Sequence, residues 1–168
     1  PCNIKLAGMD YMIMNALSRE YLLDAFVSNI RDKYDYILID CSPSLNLVTI
    51  NVLTASDSVI IPVEASYLSM TGLQQLLASI GSTKRKLNRK LEVEGIVINK
   101  VNTRTNHEKD IIGKLREAYG GQIKIFDVMI PESVRAKECT AFGVSIYKYD
   151  GKGKVAKSFE ELTREVME

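Results

Sequence analysis

Apolar residues along the chain switch repeatedly between the spacing of a strand and the spacing of a helix. Short runs rich in valine and isoleucine predict strands, which cover residues 35–40, 58–63, 91–99 and 123–130. Apolar residues at helical spacing predict helices over residues 18–33, 45–55, 69–87, 107–119, 132–139 and 152–167. Strands that alternate with helices of ten or more residues indicate βαβ crossovers. We therefore predict an α/β fold with a mostly parallel sheet and helices on both faces.

The first predicted helix, residues 18–33, has a recognisable start and an apolar face. Ser18 is expected to cap its N-terminus through the side-chain oxygen. The expected apolar face consists of Tyr21, Leu22, Ala25, Phe26 and Ile30.

Composition is that of a soluble globular chain with enough apolar material for one domain over residues 1–168, at 46% hydrophobic and 26% charged residues. The formal net charge of +1 favours neither nucleic acid nor membrane, so either partner would need a local patch. Three cysteines without a C-x-x-C pair and a single histidine argue against a disulfide framework, a zinc site or a histidine triad. These features predict a cytoplasmic protein with reduced thiols. The start at Pro1, without methionine, fits a piece of a longer protein.

The strand over residues 35–40 places one carboxylate, Asp40, at its carboxyl end, immediately before a turn. Ligands of open α/β sheets bind just beyond this end of the strands. A lone acid there commonly holds Mg²⁺ in a phosphate site. Such a site also needs a glycine-rich loop ending in Gly-Lys-Ser/Thr, and no such loop occurs in the 168 residues.

Five segments, taken in order and spacing, resemble the ParA/Soj family of partition ATPases. They are YDYILIDCSPSL, SVIIPVEASYLSMTGLQQLL, EGIVINKVNTRTN, VMIPESVRAKE and GVSIYKYDGKGKVAKSF. This family belongs to the deviant Walker A class of P-loop NTPases, which also contains MinD and the nitrogenase iron protein. The resemblance implies a chain that is incomplete at its N-terminus, since family members begin with a strand and a K-G-G-x-x-x-x-K-[ST] loop.

The resemblance implies a catalytic role for Asp40 as the Walker B aspartate, which supports Mg²⁺ and the attacking water. Ser42 and Pro43 would belong to the switch segment that responds to the γ-phosphate. The alternative for Asp40 is an acid that caps the following helix from the end of a strand.

Three further residues match nucleotide-binding positions of the family. Asn99 lies where the family contacts adenine, although an asparagine at a strand end is also a common turn former. Pro131 and Glu132 match the loop that packs against adenine, largely through backbone groups. The alternative for this loop is a proline that merely ends a strand.

Arg104 and Arg135 match positions at which the family places DNA-binding arginines. Non-specific DNA binding requires lysines and arginines on one face to meet phosphates. The alternative for each is an ordinary solvated or ion-paired arginine. The densest basic run, residues 84–90, has a simpler explanation, because cations are favoured at a helix C-terminus.

The family implies ATP and Mg²⁺ as cofactors, a homodimer that binds DNA without sequence preference, and a centromere-binding ParB/Spo0J-like partner at the nucleoid. Two alternatives are a non-catalytic ParA-like module for DNA binding or dimerisation and a MinD-like positioning ATPase. Acidic residues on the terminal helix argue against membrane docking, which favours basic helices. That helix is expected to pack on the sheet instead.

The absence of the phosphate-loop strand has a consequence for the fold. In this class that strand lies between the strand of Asp40 and the strand over residues 58–63. Without it, we expect Ile37–Ile39 and Val59–Val63 to pair directly. The alternatives are burial of the open edge by self-association and an additional N-terminal segment in the gap.

Overall fold

The computed structural model describes residues 13–41, 46–102 and 106–168. The strands are β1 (Ser58–Glu64), β2 (Glu92–Val101) and β3 (Ile125–Pro131). The helices are α1 (Leu22–Ser28), α2 (Leu47–Ala55), α3 (Tyr67–Lys86), α4 (Asn106–Tyr119), α5 (Val134–Ala141), α6 (Ile146–Asp150) and α7 (Lys154–Met167). This alternation confirms the α/β class. Most predicted elements are confirmed, with ends shifted by a few residues; α6 was not predicted.

The strands of the described residues form a three-stranded parallel sheet in the order β1-β2-β3. The register of β2 and β3 pairs Ile96 with Ile125, Ile98 with Met129 and Val101 with Pro131. The pairing is irregular on both sides of Ile98. Such bulges bend a strand and redirect its side chains.

The residues group into two compact units. One unit contains the chain up to Val59 together with Gln75–Glu92, and the other contains Ile60–Gln74 and Val93–Glu168.

In the first unit, buried Asn51 and half-buried Asn88 join short helical segments around α2. The amide of Asn51 donates to the carbonyl oxygens of Arg19 at 2.8 Å and Leu47 at 3.0 Å, and its oxygen accepts from the backbone of Leu23 at 3.2 Å. Asn88 donates to the carbonyl oxygen of Leu53 at 3.1 Å. Because α2 is apolar on most sides, these bonds satisfy polar groups that would otherwise be buried without partners.

In the second unit, α7 packs against β3 and closes a core with the sheet. The buried members of this core are Val97, Phe126, Ile130 and Val155, and Leu162 and Val166 pack against them. The apolar stripe of α7, formed by Val155, Leu162 and Val166, therefore faces the sheet, and the helix packs there as predicted, although Phe159 is 37% exposed. Within the described residues, no helix is both long enough and apolar enough to cross a bilayer.

The predicted strand over residues 35–40 is wrong, because these residues form no strand. Leu38 is 93% exposed and Tyr36 is 67% exposed. A strand requires a hydrogen-bonded neighbour, and none of the described strands pairs with this segment. Direct pairing of Ile37–Ile39 with Val59–Val63 is therefore wrong as well.

In place of the predicted helix over residues 18–33, the structure has the shorter helix α1 with a 3₁₀ turn on each side. The two turns are Arg19–Tyr21 and Arg31–Lys33. Ser18 has a left-handed backbone with φ of 52° and makes no side-chain cap. Phe26, expected on the buried face, is 61% exposed, whereas Val27 is buried. The packing of this segment on α2 decides which side is buried.

Candidate functional site

The predicted site residues fall into three groups. Asn99, Pro131, Glu132 and Arg135 belong to the second unit, and Asp40 belongs to the first. Ser42, Pro43 and Arg104 lie outside the described residues.

The ends of β2 and β3 bring the predicted base-binding residues to one edge of the sheet. Val101 is in register with Pro131, and the backbone N–H of Glu132 donates to the carbonyl oxygen of Val101 at 3.0 Å. Asn99 lies two residues before Val101 and is half-buried. Since ligands of parallel α/β sheets bind at this edge, the three predicted residues share a suitable location.

The end of β2 has an unusual backbone at Lys100. Its φ of 55° is left-handed, a conformation that few residues other than glycine adopt. The N–H of Lys100 donates to Oδ1 of Asn99 at 2.9 Å. The Nζ of Lys100 pairs with Oε1 of Glu64, at the end of β1, at 2.5 Å.

Charges of alternating sign continue along this edge. Lys137 Nζ lies 2.8 Å from Oε1 of Glu132. The hydrogen bond and charge of Lys137 lower the pKa of Glu132, and Lys100 adds to this effect. The hydrogen bond that Lys100 donates to the Glu64 carboxylate raises the pKa of Lys100. Both pKa shifts favour the charged forms of Glu132 and Lys100.

Two clefts meet at Pro131 and Lys154. The larger, of about 480 Å³, is lined by the end of β2, by β3 and by one face of α7, namely Val101, Asp127, Val128, Met129, Pro131, Lys154, Lys157, Ser158 and Glu161. The smaller, of about 220 Å³, is lined by Pro131, Glu132, Ser133, Asp150, Lys154 and Val155. The Pro131–Glu132 loop thus lines open space that a small ligand can enter.

Arg135 lies in the first turn of α5, which Ser133 caps by accepting from the backbone N–H of Arg135 at 3.1 Å. Its guanidinium is 3.9 Å from the carboxylate of Glu138 and lies over the ring of Tyr149, 6.0 Å from the centroid. The hydroxyl of Tyr149 donates to the same carboxylate at 3.0 Å, which raises the pKa of Tyr149. Arg135 is ion-paired, yet its side chain is 63% exposed and accessible to an anion.

Asp40 is exposed, next to Cys41. Partial burial of the thiol raises the pKa of Cys41, and the charge of Asp40 raises it further. The described residues contain no group of three His, Cys, Asp or Glu side chains that could bind a metal together. One exposed carboxylate fits only a Mg²⁺ ion held mainly by water and by phosphate oxygens of a nucleotide.

Sequence reasoning missed three charged residues of this edge: Glu64, Lys100 and Lys137. Each follows or lies near a strand end, but their pairing depends on which strand ends are neighbours. The sequence signal that could have identified Lys100 is its position directly after Asn99, near the carboxyl end of a strand.

The parallel sheet flanked by helices defines an α/β domain, a fold class that many nucleotide-binding proteins share. A family model described as an AAA domain, AAA_31, matches residues 1–93. The chain belongs to this family, among the ParA/Soj partition ATPases.

Two curated relatives agree with this assignment. The chain is 37% identical to the sporulation initiation inhibitor protein Soj of Bacillus subtilis (strain 168), with 99% of this chain and 65% of that protein covered. It is 38% identical to the chromosome partitioning protein ParA of Myxococcus xanthus, with 99% and 58% covered. The chain therefore spans less than two thirds of the length of these relatives.

The structure of cobyrinic acid a,c-diamide synthase from Mycobacterium smegmatis, with a bound ATP analog and magnesium, is also similar. It matches with a TM-score of 0.73 at 31% identity, over 79% of this chain and 54% of that one.

Proposed function

We propose that this chain is part of an ATPase of plasmid or chromosome partition that binds ATP with Mg²⁺. The observation that supports the proposal is the joining of the ends of β2 and β3, which brings Val101, two residues after Asn99, next to the Pro131–Glu132 loop. The names of the relatives, Soj and ParA, support the process, and the similar structure with an ATP analog and magnesium supports the ligand.

In this proposal, Asn99, Pro131 and Glu132 bind the adenine base, and Asp40 holds Mg²⁺ through water. An Mg²⁺ ion held there would supply positive charge to offset that of the phosphate oxygens. Asp40 orients the water that attacks the γ-phosphate, while Ser42 and Pro43 respond to that phosphate. Phosphoryl transfer depends mainly on positioning and electrostatic stabilisation.

A nucleotide-binding experiment tests this assignment. Titration of the full-length protein with a fluorescent ATP analog should give Mg²⁺-dependent binding that Asn99→Ala weakens about tenfold, the factor expected for about 1.4 kcal/mol. Asn29→Ala is the matched control, because Asn29 is exposed and its side-chain amide donates to the carbonyl oxygen of Ala25 in the adjoining helix α1, at 2.8 Å. Equal affinities of the two variants would contradict the base-binding role.

Residues 1–168 alone are expected not to hydrolyse ATP, because one carboxylate cannot replace a phosphate-binding loop and its lysines. Phosphate release above a blank without protein, abolished by Asp40→Ala, would contradict this expectation. In the full-length protein, the same substitution should lower the hydrolysis rate sharply. Normal DNA binding and dimerisation without any hydrolysis there would favour the alternative, a non-catalytic module.

We further propose that an ATP-dependent homodimer binds DNA non-specifically through Arg104 and Arg135. The exposed guanidinium of Arg135 supports this role, although Glu138 competes with DNA phosphates for it. Replacing both arginines with alanine should weaken binding to unrelated duplexes about uniformly and reduce its salt dependence, with ATP binding retained. Unchanged DNA affinity at low salt would move the DNA surface elsewhere, first to residues 84–90.

The proposed partners and location follow from the family. A centromere-binding ParB/Spo0J-like protein would stimulate hydrolysis, and the protein would be cytoplasmic and associated with the nucleoid. Packing of the α7 apolar stripe on the sheet supports this branch over a membrane-docked, MinD-like one. Co-sedimentation with anionic lipid vesicles, at a level that deletion of α7 abolishes, would favour the membrane branch.

A further inference from the structure

The carboxyl end of β2 contains a residue with a strained backbone at the proposed base site. Lys100 has a φ of 55°, and the strand continues to Val101 on its far side. The β2–β3 register shifts between Ile98 and Val101, so the left-handed residue lies within a bulge. Backbone strain of this kind concentrates at functional sites, where surrounding structure maintains it.

The left-handed residue shares a hydrogen bond with the side chain of Asn99. The N–H of Lys100 donates to Oδ1 of Asn99 at 2.9 Å. A carboxamide has one acceptor oxygen and one donor nitrogen. The bond from the backbone of Lys100 holds the oxygen and so orients the amide, which directs Nδ2 as its donor for an acceptor atom of a base.

The side chain of Lys100 has a separate contact. Its Nζ pairs with Glu64 at the end of β1, and Glu132 adds a second negative charge nearby. The ion pair joins the ends of β1 and β2, but it does not itself require a left-handed backbone. The backbone and side-chain contributions of Lys100 are therefore separable by substitution.

We propose that Lys100 is a positioning residue for the nucleotide base, acting through its left-handed backbone on the side-chain amide of Asn99. This inference rests on the proposed function, because it assigns Lys100 to the base site of that function. Lys100 does not touch the base, and its charge is not the feature that matters. Bulges beside active sites commonly redirect a side chain in this way.

Two substitutions separate backbone from charge. Lys100→Gly and Lys100→Val both remove the ion pair with Glu64, but glycine adopts positive φ readily and valine does not. In the full-length protein, Lys100→Val should bind ATP about tenfold more weakly than Lys100→Gly. Inorganic tripolyphosphate, which has no base, should compete equally well against both variants. A residue that merely supports the fold would change both affinities together.

A double substitution tests whether the effect passes through Asn99. In an Asn99→Ala background, the difference in ATP affinity between Lys100→Gly and Lys100→Val should disappear, since residues that act as one unit are not additive. Equal ATP affinities of the two single variants, or a tenfold difference that persists without the Asn99 amide, would overturn the proposal. If Lys100→Val does not fold, Lys100→Ala replaces it, with a smaller expected loss.

A separate measurement distinguishes this inference from the proposed function. If the unsubstituted protein binds no ATP, the proposed function fails, and with it the assignment of a base. Hydrogen exchange of the residue-100 amide then decides the positioning itself. Protection of this amide in Lys100→Gly that is lost in Asn99→Ala supports the positioning, and equal exchange in the two variants overturns it.

Discussion

A carboxylate on α7 anchors that helix to the backbone of strand β3. Oε2 of Glu165 accepts from the N–H of Asp127 at 3.0 Å, and Oε1 accepts from the N–H of Val128 at 2.9 Å. Successive N–H groups of a regular strand point in opposite directions. Here the register of β3 shifts between the partners of Ile96 and Ile98, and this bulge allows one carboxylate to accept from two adjacent amides.

The effect of Glu165→Ala follows from these contacts. A hydrogen bond to a charged group contributes about 1.5–3 kcal/mol. The bond to half-buried Val128 should contribute most of this, because water can replace the carboxylate at exposed Asp127. Removal of an acid near a helix C-terminus returns about 0.5 kcal/mol. The expected net loss in the free energy of unfolding is about 2 kcal/mol, or about 4–8 °C in melting temperature for a chain of this size.

Urea unfolding of residues 1–168, followed by circular dichroism, measures this loss. Glu160→Ala is the matched control, because it makes the same replacement at an exposed position of α7. Glu165→Gln should lose about half as much, since it keeps one acceptor oxygen. If Glu165→Ala lies within about 0.5 kcal/mol of Glu160→Ala, which is the usual range for surface substitutions, the carboxylate does not anchor the helix.

Three further predictions concern packing and charge. A Cβ on Gly95 would lie 2.7 Å from the ring of the buried phenylalanine of β3, so Gly95→Ala should lower the free energy of unfolding by about 1–3 kcal/mol; unchanged urea unfolding would contradict this. Asp40→Asn should lower the pKa of Cys41 partway toward its usual value and accelerate its alkylation at pH 8, measured by mass spectrometry; an unchanged rate would refute the charge effect. Lys137→Met should raise the pKa of Glu132 in an NMR titration, because the hydrogen bond and charge of Lys137 lower that pKa in the folded protein. The ion pair stabilises the fold at pH values above the usual glutamate pKa, and this stabilisation is lost as the pH falls through the lowered pKa of Glu132. An unchanged pKa would show that Lys137 is not the partner of Glu132.

The periodicity of apolar residues was sufficient to predict the strands β1, β2 and β3 and the longer helices. The local sequence of these segments favours the structure that they adopt. The hydrogen bonds of a helix form within the helix itself, and the strand sequences are rich in β-branched residues, which favour extended backbone. The same pattern failed at residues 35–40, which are equally apolar. A strand forms only where another strand supplies its hydrogen-bond partner, and sequence pattern does not show whether that partner is present.

Individual residues of the candidate site divide in the same way. Asn99 and Pro131 were recognisable from the sequence because they end strands and match motifs of a family. The left-handed turn at Lys100, its ion pair with Glu64 and the anchor at Glu165 were decided by tertiary structure alone. Each joins groups that are distant along the chain or arises in a bulge, and bulges result from the pairing of two strands rather than from either strand by itself.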